Sequence, residues 1–200
     1  MRIISGSAKG RKIVAPPGNT LSIRPTSDRA REALFSILGA RVLQAHVLDL
    51  FAGTGALGLE AFSRGAGSVV FVDNNKVALE ILKKNILLCH TGYSGKCEIR
   101  VIKHDLSRNL PLHRFPKQLA TEFDLIFADP PYSMDYASQL LESLDSSNLL
   151  SQTGLLIVEE RSNVTLPTGF SNLTLEDKRS YGEAAFWFYR TTNPAGRKKI

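Results

Sequence analysis

The sequence predicts an α/β fold: a mostly parallel, seven-stranded sheet with an antiparallel edge, preceded by a small N-terminal hairpin-and-helix extension. Three observations predict it. From His46 onward, apolar runs of strand length alternate with segments of helical periodicity, the pattern of βα units. The last two apolar runs, within Leu173–Arg190, are separated only by a turn at Tyr181-Gly182. So short a connection makes an antiparallel pair. Before residue 42 the pattern differs, with two brief β-like runs, a Pro-rich break and one helix. The expected division is residues 1–41 as a basic extension and 42–200 as the α/β domain.

Residues 2–6 and 11–14 are expected to be strands, joined by the turn Ser7-Ala8-Lys9-Gly10. Ala15-Pro16-Pro17-Gly18-Asn19 breaks structure. Thr26 or Ser27 then caps a helix with the apolar face Ala30, Ala33, Leu34, Ile37 and Leu38, and Gly39 stops it. Arg24, Arg29 and Arg31 fall on its polar side or at its start. The domain proper begins with a strand at 46–50, the loop Phe51-Ala52-Gly53-Thr54-Gly55, and a helix from Ala56 to about Arg64. A strand at 68–72 ends on Asp73, and a helix covers about Asn75 to Cys89. A third strand, 98–102, leads to Asp105; a fourth, 123–128, leads to Asp129. A helix at about Asp135–Leu144 and a fifth strand, Leu155–Glu159, precede the final pair. There is no internal repeat and no low-complexity tract.

The net charge is +6, and all of it resides in residues 1–41, which hold eight Lys/Arg against two acids; residues 42–200 balance. Localised positive charge favours a polyanion such as nucleic acid. Arg197-Lys198-Lys199 adds a second basic cluster. No apolar run is long enough to cross a bilayer, and Met1–Gly6 carries no signal-peptide core. Cys89 and Cys97 form neither a disulfide framework nor a C-x-x-C motif. The expectation is a reduced, cytoplasmic protein without a membrane partner.

Ligands of such sheets bind beyond the carboxyl ends of the strands. Asp49, Asp73, Asp105 and Asp129 all occupy strand ends and should converge on one cleft. Gly53-Thr54-Gly55-Ala56-Leu57-Gly58 formally matches G-x-G-x-x-G, with Asp73 twenty residues after Gly53, as in dinucleotide-binding proteins. Asp49 separates the possibilities. A pyrophosphate at the loop would be repelled by it, whereas the ammonium and sulfonium of S-adenosylmethionine would be attracted. Asp73 then suits the ribose diol and Asp105 the adenine amine. A purely structural Asp49, bonding backbone N–H groups of the loop, is compatible with this role.

In Asp129-Pro130-Pro131-Tyr132 the prolines end the strand and leave a stiff turn. Asp129 and the Pro130 carbonyl offer two acceptors to an exocyclic amine, and Tyr132 offers a stacking surface. Taken alone, the motif is equally compatible with a Pro-rich loop exit. His46, His90, His104 and His113 lack metal-ligand spacing, so no metal is expected. No G-x-S-x-G elbow supports a serine nucleophile. Trp187, in Ala184–Tyr189, reads as a core edge strand.

The series D-L-F-A-G-T-G at 49–55, acids at 73 and 105, and D-P-P-Y at 129–132 resembles a class I, Rossmann-like S-adenosylmethionine-dependent amino-methyltransferase. R-P-T-S-D-R-A-R-E-A-L-F-S-I-L at 24–38, L-D-L-F-A-G-T-G-A-L-G-L-E-A-F-S-R-G-A at 48–66, the opening M-R-I-I-S-G-S-A-K-G-R-K and Y-G-E at 181–183 resemble the RsmD family, over nearly the whole chain. That resemblance implies methyl transfer to guanine N2 in small-subunit (16S) ribosomal RNA, in an assembled or assembling subunit; the chain's size suits a monomer. Residue by residue it implies Asp129, Pro130, Pro131 and Tyr132 at the target amine. It implies Asp49, Phe51, Gly53, Thr54, Gly55, Asp73, Asn74, Asp105 and Leu106 at the cofactor. Arg2, Lys9, Arg11, Lys12, Arg24 and Arg29 are the expected RNA contacts. Tyr132 and Asp73 stand where many relatives have Phe and Glu; both keep the chemistry. Three alternatives remain: an adenine-N6 methyltransferase, a non-catalytic RNA-binding assembly factor, and an NAD-dependent oxidoreductase. The first lacks a separate target-recognition domain, the second leaves the acid series without purpose, and the third conflicts with Asp49.

Overall fold

Strand β1 (His46–Leu50) is apolar on both faces, with Val47, Leu48 and Leu50 fully buried, and therefore takes a central position. A computed structural model describes residues 1–15, 28–115, 122–131 and 136–192. The other strands are β2 (Ser68–Asp73), β3 (Glu98–Lys103), β4 (Phe123–Ala128), β5 (Leu150–Arg161), β6 (Leu173–Tyr181) and β7 (Ala184–Thr191). They form one seven-stranded sheet in the order β3-β2-β1-β4-β5-β7-β6. β1 to β5 pair in parallel, whereas β7 is antiparallel to both β5 and β6, as the sequence predicts. β5 is longer than expected. It starts at Leu150 and reaches Arg161, with a register shift against β4 between Phe123 and Leu125.

Four α-helices cover the sheet among the described residues. α1 (Asp28–Leu38), α2 (Ala56–Ser63) and α3 (Lys76–His90) bury Leu34, Phe35, Leu59, Phe62, Leu79 and Leu82 against one face. α4 (Tyr136–Ser147) buries Ala137, Leu140, Leu141 and Leu144, at helical spacing, against the other. The Asn75 side chain caps α3 by accepting from the backbone N–H groups of Val77 and Ala78. Trp187 is 3% exposed, a core residue of β7.

Two expectations in the N-terminal region are corrected. α1 is rotated from the predicted face: Phe35 and Arg31 are buried, while Ile37 is exposed and Ala33 half-buried. The Phe35 ring packs 5.7 Å from that of Phe127 in β4, and the Arg64 guanidinium lies over it at 4.9 Å. Arg31, expected on the polar side, is fully buried because Glu60 is buried beside it. Arg31 donates to the Arg2 carbonyl at 2.5 Å and to Asp28 at 3.0 Å, and its Nε stands 3.9 Å from Glu60 Oε2. The expected hairpin forms but is shorter than predicted, with one antiparallel bridge, Arg2 to Lys12; the Ile3 N–H donates to the Arg11 carbonyl at 3.0 Å, the Gly10 N–H to the Ile3 carbonyl at 2.9 Å and the Ile13 N–H to the Met1 carbonyl at 3.2 Å. Other backbone donors anchor it to helices α2 and α3. Glu60 accepts from the backbone N–H groups of Ile4 at 2.8 Å and Ser5 at 3.0 Å, and Asn85 accepts from that of Val14 at 2.7 Å. Ile3, Ala8 and Ile13 share the core that holds α1 and α2. The expected Thr26 or Ser27 cap lies outside the described residues.

Candidate active site

The strand order turns the acids into a row. Reading β3-β2-β1-β4-β5 across the sheet, their carboxyl ends carry Asp105, Asp73, Asp49, Asp129 and Glu159 in that spatial order. Strands lie about 4.8 Å apart, so the row spans about 19 Å. Connections diverge on either side of the β1/β4 pair, the switch point where such sheets bind ligands. Asp49 and Asp129 flank that point.

The glycine loop is held by these acids rather than left open to an anion. Asp49, 2% exposed, accepts from the Gly58 backbone N–H at 2.8 Å, in the first turn of α2. Asp73 accepts from the Gly53 N–H at 2.7 Å and from the Asn75 N–H at 2.7 Å. Gly55 adopts φ +84° at the helix start, and a Cβ there would meet the Leu82 side chain at 2.3 Å. At Gly58 a Cβ would strike the Phe71 ring at 2.3 Å and Asp49 Oδ2 at 2.9 Å, so glycine is what lets α2 approach the acid. A dinucleotide needs those amides free for its pyrophosphate. Here the Gly53 and Gly58 amides already serve carboxylates, and a second anion would be repelled.

Burial pushes the Asp49 carboxyl up to about 7; the Gly58 N–H bond opposes this and the Asp73 charge adds to it. Asp129, half-buried, is likewise raised well above the usual carboxylate range, first by desolvation and then by Glu159, Asp49 and Glu160. Carboxyls that repel one another in a poorly hydrated cleft are satisfied by a cation, the charge type of a sulfonium and an α-ammonium. The donor set therefore fits S-adenosylmethionine.

The outer cofactor positions are more locally engaged. Asp105 accepts from the Ser107 hydroxyl at 2.7 Å and N–H at 3.1 Å and from Asn74 Nδ2 at 3.4 Å, bonds that hold its carboxyl below the usual range. Phe51 and Leu106 are half-buried at the margin of the α4-side core. The Thr54 carbonyl accepts from Asn85 Nδ2 at 3.0 Å, and the same amide nitrogen donates to the Val14 carbonyl at 3.1 Å. Asn85 thus ties the N-terminal segment to the loop. Nothing in its sequence context, inside a helix, signals that.

On the target side, the Asp129 N–H donates to the Leu50 carbonyl at 3.4 Å, Pro130 is buried and Pro131 exposed. Tyr132 and Arg24 lie outside the described residues. Glu159 and Glu160, 3% and 7% exposed, are members of the acidic cluster that sequence reasoning missed. The rule that found the other acids applied to Glu159 too, because it ends the apolar run Leu155–Val158.

The basic candidates do not share one environment. Arg2, Lys9, Lys12 and Arg29 are exposed. The Arg11 guanidinium donates to the Leu88 and Thr91 carbonyls and neutralises the carboxyl end of α3. The turn bearing Lys9 rests on Ser63, at the end of α2 away from the glycine loop, through Ser7 N–H to the Ser63 carbonyl at 2.7 Å and Ala8 N–H to its Oγ at 2.9 Å. Among the described residues no group of three or more His, Cys, Asp or Glu has metal-holding geometry, and no helix is long and apolar enough to cross a membrane.

The family described as Conserved hypothetical protein 95 matches residues 1–190. The chain is 34% identical to the Ribosomal RNA small subunit methyltransferase D of Haemophilus influenzae, covering 95% of this chain and 93% of that one. It is 32% identical to the Escherichia coli protein of the same name, covering 95% and 89%. A hypothetical protein of Thermus thermophilus superposes with a TM-score of 0.76 at 32% identity, covering 95% of this chain and 99% of the other. With matches spanning nearly all of both partners, the chain belongs to the Conserved hypothetical protein 95 family, the RsmD family that its motifs resemble.

Proposed function

We propose that this chain is an S-adenosylmethionine-dependent ribosomal RNA methyltransferase acting on the exocyclic N2 of a guanine in the small subunit. The observation that carries the cofactor is the glycine loop itself, whose Gly53 and Gly58 amides are taken by Asp73 and Asp49 in a row of carboxylates. The relatives' names support the ribosomal RNA substrate. When bound, the cofactor would supply an electrophilic methyl on a sulfonium, whose S–C bond breaks, with a thioether as leaving group, as the amine's electron pair forms the new C–N bond.

The protein's own groups supply orientation and charge. Asp49 holds the cationic end of the cofactor, and Asp73, Asp105, Phe51 and Leu106 hold its nucleoside. Asp129 and the Pro130 carbonyl accept the two N–H bonds of the amine. That draws its lone pair out of conjugation and stabilises the positive charge that develops on nitrogen. The proton then leaves through Asp129 or solvent. Tyr132 stacks on the base, which must be unstacked to reach the cleft. The N-terminal extension adds RNA contacts, with Arg2, Lys9, Lys12 and Arg29 exposed for phosphates and Arg24 proposed as a further contact. Arg11 contributes through its hold on α3. The enzyme works as a cytoplasmic monomer without a metal.

Labelled cofactor, incubated with small-subunit particles from cells lacking the gene, is expected to give N2-methylguanosine by mass spectrometry of the nucleosides. N6-methyladenine would overturn the guanine assignment, and absence of any label would overturn methyl transfer to this particle. Neutralising Arg2, Lys9 and Lys12 together is expected to flatten the log–log salt dependence of RNA binding by roughly two. Cofactor affinity should stay constant. An unchanged slope removes these residues from the RNA interface.

A further inference from the structure

We infer that Glu159 is a specificity-determining residue, accepting the ring N1–H of the target guanine while Asp129 and the Pro130 carbonyl accept the adjacent N2 amine. The inference rests on the guanine-N2 reading of the same site. Its ground is the register of two strands. Ala128 in β4 pairs with Val158 in β5, so Asp129 and Glu159 are each one residue beyond the same rung. Side chains alternate along both strands. Phe127 and Ile157 face the α1 side, Ala128 and Val158 the α4 side, and Asp129 and Glu159 therefore return to the α1 side together. Asp49 shares that face, since Val47 does and Leu48 and Leu50 do not. Glu160 falls on the opposite face, and its Oε1 accepts from the Arg161 N–H at 2.7 Å.

The order in the row gives Glu159 its task. Asp49 takes the cofactor side of Asp129, and Glu159 takes the other. The guanine N2 amine stands between N1–H and the N3 lone pair, and two neighbouring carboxylates match only the orientation that turns the donor N1–H toward Glu159. In adenine the amine is flanked by an N1 lone pair, which a carboxylate repels. Asp-Pro-Pro-Tyr grips either amine, so the choice between them needs a second group, and Glu159, 3% exposed, stands where that group must be. Asp129 is raised first by desolvation and then by the Glu159 charge, in keeping with the two carboxyls being neighbours across the β4–β5 pair.

The test uses 2-aminopurine, which keeps the 2-amino group but has a lone pair at N1. Small-subunit RNA is rebuilt into particles with either guanine or 2-aminopurine at the labelled position. Wild-type enzyme is expected to prefer guanine in kcat/KM on the order of 10- to 100-fold, the worth of a charged hydrogen bond. Glu159→Gln, whose amide donates to that lone pair, and Glu159→Ala, which removes the acceptor, are expected to collapse the preference with cofactor affinity unchanged. If either variant fails to fold, the other carries the measurement. An unchanged preference in a folded variant, or a loss of cofactor affinity in its place, overturns the role of Glu159. Wild-type label on adenine rather than guanine overturns the functional reading, and this inference with it.

Discussion

Asp129→Ala is expected to lower kcat at least roughly tenfold while cofactor affinity is kept. The lost interaction is a charge-assisted hydrogen bond to the reacting amine, about 1.5–3 kcal/mol, which corresponds to roughly 10- to 100-fold in rate. The bond strengthens as positive charge builds on nitrogen, so the loss falls on kcat more than on KM. Removing the carboxylate also relieves its repulsion with Glu159 and Asp49, so the fold should not be weakened. A pH profile separates this role from a structural one. Asp129 makes the charge-assisted bond only when ionised, and its carboxyl is raised well above the ordinary range. Wild-type activity should therefore rise with pH as Asp129 loses its proton, and the variant should lose that limb. Wild-type turnover in Asp129→Ala would remove the residue from the mechanism.

Asp49→Asn is expected to separate stability from binding. The carboxyl titrates at about 7 in the folded protein against an ordinary 3.8. Between these values the folded state retains a proton that the unfolded chain has released. Asp49 therefore destabilises the ligand-free protein increasingly as pH rises from about 4 to 7, and fully above 7. Asparagine keeps an acceptor for the Gly58 N–H and carries no charge. The variant should be more stable than the wild type at pH 8, by on the order of 2–4 kcal/mol, and nearly equal to it at pH 4. Urea unfolding at the two values reads this directly, and parallel stability profiles would refute it. Cofactor affinity should move the opposite way. It should fall at pH 8, where the wild type offers a carboxylate to the ammonium, with the difference narrowing as the pH drops.

The arrangement of strands and helices was legible because each central strand is apolar on both faces and each break is chemically explicit. Asp129-Pro130-Pro131 must end a strand, and Gly53-Thr54-Gly55 must turn sharply, whatever surrounds them. The four acids at strand ends were legible for the same reason, since topology alone sends parallel strand ends to one edge. Glu159 was equally legible, since the fifth expected strand ends on it, but its place beside Asp129 follows from the β4–β5 register, which only the structure shows. The N-terminal segment was legible only in outline. Its alternation predicts a hairpin, which forms with a single bridge, while Glu60 and Asn85, on helices α2 and α3, accept from Ile4, Ser5 and Val14 and anchor it to the core.

Local sequence alone dictated the order of elements, the mostly parallel sheet with its antiparallel edge, and the chemistry at the strand ends, because these follow from backbone sterics and apolar periodicity. Long-range packing settled which basic residues are structural and which are exposed. Arg31 is drawn inside by buried Glu60, Arg11 is bound to the end of α3, and Arg2, Lys9 and Lys12 face solvent. It also set Asp49 and Asp73 to hold the glycine loop, and put Asp129 and Glu159 on one face. These outcomes depend on burial and on strand register, which arise only when segments distant in sequence pack together.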